Sequence, residues 1–178
     1  MGVQSGSEKL NREIYRRPSS NKRILEALRL LDKYAKNGTI RVNCDFILDN
    51  PYEKDEDIIE TIKLHRQFPE SIWLNLFSLA FYPGTAIYDK ALEDGKISNS
   101  YDVFSKAFNI QVSTSHNYLT WVFLLQAVLK NNLPDFLLKI LISKPARFIG
   151  NRLPKFVLDK IWGRKIFPKI GKWNPMAT

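Results

Sequence analysis

The sequence predicts an α/β chain: three parallel strands, each followed by a helix, forming the back part of a larger barrel, with an all-helical extension behind them. Three observations carry this expectation. Strand-like segments fall at residues 1–5, 40–48 and 72–81, helical stripes separate them, and after residue 98 no strand pattern returns. Strands alternating with helical patterns imply parallel βαβ units, whose ligands bind at the carboxyl ends of the strands.

The elements follow in order. Met1-Gly2-Val3-Gln4-Ser5 reads as the end of a strand, and Ser7 suits the N-cap of a short helix reaching Tyr15 before Arg16-Arg17-Pro18 stops it. Ser20 caps a helix over Asn21–Lys36, where Ile24, Leu28, Leu31 and Ala35 form a stripe and Asn37-Gly38 supplies the stop. In the central strand, Ile40, Val42, Cys44, Phe46 and Leu48 share one face; Arg41, Asn43, Asp45 and Ile47 share the other. Asp49-Asn50-Pro51 ends it, and Asp45 is placed near its carboxyl end. Glu53, Asp55, Glu56 and Asp57 crowd the first turn of the next helix, where negative charge suits the macrodipole, and Pro69 closes it. The run at 72–81 is a buried strand, and Tyr82-Pro83-Gly84-Thr85 is a turn opening a helix that Gly95 ends. Helical patterns then recur at Tyr101, Phe104 and Phe108, at 118–129 and at 136–142, while Pro145, Pro154 and Pro168 break the tail into short pieces. The expected division is 1–97, a helical extension over 98–145, and a basic aromatic tail over 146–178.

Three strands are too few to close a barrel, and a strand placed at the first residues leaves an open edge. The N-terminal half of the barrel, from the same gene or a split partner, is therefore the expected partner. Cys44 is the one cysteine, which excludes an intrachain disulfide and any metal site built on a Cys cluster, and fits a cytoplasmic setting. Residues 1–20 carry no signal-peptide pattern, and the longest apolar run, at 118–129, is well short of the ~20 residues that cross a bilayer. The charge of +9 is uneven: residues 132–178 hold ten Lys/Arg against Asp135 and Asp159, a net +8. That tail fits an anionic membrane surface, nucleic-acid phosphates or a solvated face, with nucleic acid the least favoured.

Four pieces stand in register: Gly2-Val3-Gln4-Ser5-Gly6-Ser7-Glu8, then Arg16, then Asp45-Phe46-Ile47-Leu48 with Pro51 and Glu53, then Tyr82-Pro83-Gly84-Thr85. On these the chain resembles the C-terminal half of the radical S-adenosylmethionine (SAM) core, in the branch whose members often carry a cobalamin-binding domain. The resemblance covers residues 1 to about 97 and implies the last three strands of a partial (βα)6 TIM-like barrel. It implies SAM as cofactor, with a 4Fe–4S cluster and, in this branch, cobalamin in the complete enzyme. Gln4 is then expected at the SAM ribose or nearby polar atoms, with Ser5 supporting it, Arg16 at the methionyl carboxylate and Asp45 accepting from the ribose hydroxyls. A guanidinium fork matches a carboxylate bidentately, for about 1.5–3 kcal/mol. The implied chemistry is reductive cleavage of SAM to a 5′-deoxyadenosyl radical, then hydrogen abstraction or methyl transfer.

Two departures bear on this. The family's Cys-x3-Cys-x2-Cys loop is absent, so the chain alone is expected neither to ligate the cluster nor to cleave SAM. Many relatives read Gly-x-Pro-Gly-Glu where this chain reads Asp49-Asn50-Pro51-Tyr52-Glu53. Plainer roles stand beside the expected ones: Asp45 as a salt-bridged barrel residue, Arg16 as a solvated helix end, His65 and His116 as structural. For the whole chain the alternatives are a non-catalytic truncated or split-gene product and a peripheral membrane module led by the tail.

Overall fold

A computed structural model describes residues 1–97 and 118–153. The expected helical segment around Phe104, His116 and most of the basic tail lie outside the described residues.

The order is β1 (Gly2–Gln4), α1 (Glu8–Glu13), α2 (Asn21–Lys36), β2 (Asn43–Leu48), α3 (Asp55–His65), β3 (Trp73–Ser78) and α4 (Ala86–Glu93). Then come α5 (Tyr118–Val128), α6 (Asp135–Leu141) and α7 (Lys144–Gly150). The strands make one parallel sheet in the order β1-β2-β3. Each strand thus pairs with its successor in the chain after a helical crossover, as parallel pairing requires. β2 and β3 pair without interruption from Asn43↔Trp73 to Leu48↔Ser78, whereas a bulge separates Gly2↔Asp45 from Gln4↔Phe46.

The two-residue alternation in β2 decides which face is covered. Cys44, Phe46 and Leu48 are buried, while Asn43, Asp45 and Ile47 are half-buried on the other side. Against the first face lies the main core, built with Ile24 and Leu28 of α2, Ile58 and Ile62 of α3, Leu74 of β3 and Trp121 and Phe123 of α5. Phe46 sits at its centre, its ring 5.4 Å from Phe123 and 5.9 Å from Phe68. α5 is apolar around its whole circumference and buried from Tyr118 to Leu124, as such a helix must be in water. The expected extension therefore supplies core to the sheet. α4 instead joins a smaller cluster of Leu79, Phe81 and Ala91, which Ile47 of the opposite sheet face also contacts.

Caps explain the helix boundaries. Ser7, Ser20, Thr85 and Ser143 each accept a backbone N–H in the first turn of α1, α2, α4 and α7. α3 lacks such a residue at Lys54, so Asp57 reaches back to accept the Lys54 N–H at 2.8 Å. Three expectations need correction. β2 begins at Asn43 rather than 40, because Ile40 and Arg41 are exposed beyond the sheet edge. β3 stops at Ser78 rather than 81, the chain turning so that Leu79 and Phe81 enter the second cluster. Pro145 does not break a helix but opens α7, where its missing N–H costs nothing.

Candidate functional site

The segment from Ser5 to Glu8 is tied into the helices, which fixes where β1 ends. Ser5 is fully buried; its hydroxyl lies 3.1 Å from that of Thr61 and accepts the Ser7 N–H, while its carbonyl accepts from Asn11 Nδ2 at 2.7 Å. Gly6 donates its N–H to Thr61 Oγ1 at 2.8 Å. Ser7 caps α1 and donates to Asp57 Oδ1 at 2.6 Å. Glu8 accepts the Asn21 N–H at 2.7 Å, capping α2 from outside. Ser5 is thus engaged inside the protein by its own hydrogen bonds.

At the carboxyl end of β2 the chain gathers acids. Asp49 takes a left-handed φ of 58°, at the position where the resembled family carries glycine, and accepts from Ser78 Oγ at 2.7 Å. Asn50 is buried and donates to the Tyr15 hydroxyl at 3.0 Å. Tyr52 turns outward and donates its hydroxyl to Asp94 at 2.9 Å, joining this loop to the end of α4. Burial, then the Asp57 and Asp49 carboxylates, push the Glu53 carboxyl up to about 8, against a hydrogen bond with Ser5. Burial, reinforced by Glu53, also raises the Tyr15 phenol well above its ordinary value. Sequence reasoning missed Glu53 and Tyr15 as a half-buried pair of interacting groups; it read Glu53 as helix-dipole complement and as part of the family motif.

Gln4, Arg16 and Asp45 are distributed as follows. Asp45 is third of six residues in β2, so it lies mid-strand rather than near the carboxyl end, opposite Gly2 in the register. Its Oδ1 accepts from Asn75 Nδ2 of β3 at 2.8 Å. Gln4 ends β1 with φ 62°, and its Oε1 is buried without a hydrogen-bond partner. Asn43 Oδ1, on the Asp45 face of β2, is likewise buried without one. Gln4 and Asp45 therefore lie on neighbouring strands. Arg16 is exposed in the loop after α1, at φ 52°, and makes no hydrogen bond or ion pair among the described residues. Its neighbour Arg17 is the arginine that reaches β1: a Cβ on Gly2 would stand 2.9 Å from Arg17 Nη1 and 2.8 Å from Gln4 Nε2. The Arg16-Arg17 doublet in the sequence was the signal for it.

The iron–sulfur cluster of the resembled family does not fit this chain. Cys44, the one thiol, is fully buried on the helix-covered face of β2, and burial pushes it up to about 12, far from a thiolate. Nor does His65 suit an axial role to cobalamin. Its ring lies among Phe46, Phe68 and Phe123, its Nδ1 faces Gln126 Nε2 at 3.2 Å, and burial lowers it to about 4. Among the described residues, no helix is long and apolar enough to cross a membrane. In comparisons with known proteins, no family model and no curated protein matches the chain.

Proposed function

We propose that the chain forms the closing strands of a radical SAM barrel and contributes the adenosyl side of the cofactor site, with the iron–sulfur ligands supplied by a separate segment or partner. The observation that carries this reading is the set of acceptors on one sheet face. Gln4 Oε1 and Asn43 Oδ1 are buried without partners on the two strands that also carry the Asp45 carboxylate. Buried polar atoms left unpaired are costly, so a ligand rich in donors is the natural complement. SAM presents such donors in its ribose diol and α-ammonium group. An ionised Asp45 can only accept, which suits the diol, and the Arg16-Arg17 pair offers guanidinium forks for the methionyl carboxylate. The sequential parallel order β1-β2-β3, with helices packed on the Phe46 face, is compatible with part of a barrel wall.

Bound to its cluster, SAM supplies the radical in this family; no residue of the chain is assigned a part in that step. Its residues bind and orient. Equilibrium dialysis of the chain against labelled SAM tests the reading: retention is expected, displaced by S-adenosylhomocysteine and reduced in Gln4→Ala and Asp45→Ala. Absence of retention, or equal retention by folded variants, favours a non-catalytic chain instead.

A further inference from the structure

The second surface worth a function lies away from the sheet, on α6 and α7. α6 exposes Phe136 at 63% and Ile140 at 58%, one turn apart on the same face, with Leu137 beside them. α7 exposes Phe148 and Ile149, each at 62%, and Leu153 follows just beyond it. These side chains are not outside because the helices are loosely attached. Leu138 of α6 is buried, and Asp135 pairs with Arg66 at 2.7 Å. α7 is held by Arg147, 3.0 Å from Asp55 and 3.5 Å from Glu56. The Gly150 backbone packs on the Tyr118 ring, and Asn151 Oδ1 accepts the Tyr118 N–H at 3.0 Å. The inner faces are satisfied, and the apolar residues are what the outer faces present.

The charges around them are of one sign. Between 132 and 153 the acid is Asp135, already paired with Arg66, whereas Lys139, Lys144 and Arg152 are exposed. The Arg152 guanidinium lies 3.4 Å from the centroid of the Phe148 ring, so cation and aromatic share one patch. The sequence from 154 to 178 adds six Lys/Arg against Asp159. A second copy of this chain would bring cation against cation on such a surface.

We propose that this α6–α7 surface docks the protein on an anionic lipid bilayer. Phe136, Ile140, Phe148 and Ile149 enter the boundary between headgroups and acyl chains, and Lys139, Lys144 and Arg152 meet the lipid phosphates. An amphipathic surface gains its affinity from these two sources together, apolar insertion and attraction to anionic lipid. The attachment is peripheral and does not depend on the SAM reading.

Co-sedimentation of the full chain with phosphatidylcholine vesicles, with and without phosphatidylserine, tests it. The chain is expected to pellet with the anionic vesicles and to be released by added salt. The Phe148→Ser/Ile149→Ser and Phe136→Ser/Ile140→Ser pairs replace exposed residues, so circular dichroism should show an unchanged fold while vesicle affinity drops roughly tenfold. Failure to pellet at low salt overturns the proposal. So does equal pelleting by both variant pairs, which would assign binding to tail charge alone. A vesicle-independent dimer abolished by these variants would also overturn it, making the surface a self-association interface.

Discussion

At Gly6 the loop after β1 runs so close to α3 that a Cβ would stand 2.4 Å from Thr61 Cα and 2.7 Å from the Glu60 carbonyl oxygen. Neither backbone can retreat cheaply, so Gly6→Ala should lower unfolding free energy by about 2–3 kcal/mol in urea titration. The Gly2-to-Glu8 segment was legible as a motif, but its residues serve architecture more than the resemblance suggested. Ser5, Ser7 and Glu8 are consumed by hydrogen bonds to Thr61, Asp57 and Asn21, and Gln4 alone keeps a free acceptor. No local pattern announces those partners, because they come from elements up to 56 residues away. Two desolvated groups, half-buried Glu53 and buried His65, set the pH dependence. Glu53, raised from 4.5 to about 8, keeps its proton in the fold across that range, so its contribution is present below 4.5 and lost as pH rises through 8. His65, lowered from 6.5 to about 4, acts oppositely: stability is full above 6.5 and lost as pH falls toward 4. Their slopes offset each other between 4.5 and 6.5, leaving a decline between 6.5 and 8. That decline is on the order of 2 kcal/mol and should vanish in Glu53→Gln, which should in turn uncover the acid-side slope of His65. Thermal melts across pH for both proteins check this; a wild-type decline that survives in Glu53→Gln contradicts it.

The elements themselves were largely readable, since each signal was local. Asn21–Lys36 has a serine cap, an apolar stripe and a glycine stop, and the structure returns the same helix. The alternation in 43–48 identified both faces of β2 before any fold was known. What the sequence hid was the allegiance of α5. A predominantly apolar helix signals burial without naming its partner, and the partner is α3, through Gln126 Nε2 on the Ile62 carbonyl at 3.0 Å and through the shared core. A chain ending at residue 97 would expose that side of α3 together with Phe46, and should show no cooperative thermal transition. A sharp melt of 1–97 would mean that α5 is dispensable. Within the full chain, Phe46→Ala should cost about 3–5 kcal/mol, because its ring is fully buried where α3, β2 and α5 meet.

At the scale of the whole molecule, a three-stranded parallel wall sets its apolar face against α2, α3 and α5, while Asn43 and Asp45 share the other face with Ile47, which joins the α4 cluster. The parallel wall itself was legible in the sequence as alternating strand and helix patterns. Sequence reasoning misplaced Asp45 toward the strand end, because the true start of β2 depends on where β3 offers a partner, at Trp73. It also passed over Arg17, whose side chain reaches the start of β1. Cys44, the one thiol, packs into the helix-covered core, so this chain offers no thiolate ligand to a cluster. The central claim is that the Gln4–Asp45 face receives an adenosyl ligand, and the most direct measurement is a 1H–15N correlation spectrum of the labelled full chain titrated with SAM. The account predicts saturable shifts of the Gln4, Asn43 and Asn75 side-chain amides and of the Asp45 backbone amide. Shifts confined to the Phe68 and Lys130 region on the other side of the sheet core, with Gln4, Asn43, Asp45 and Asn75 unmoved, or no saturable shift at all, would contradict it.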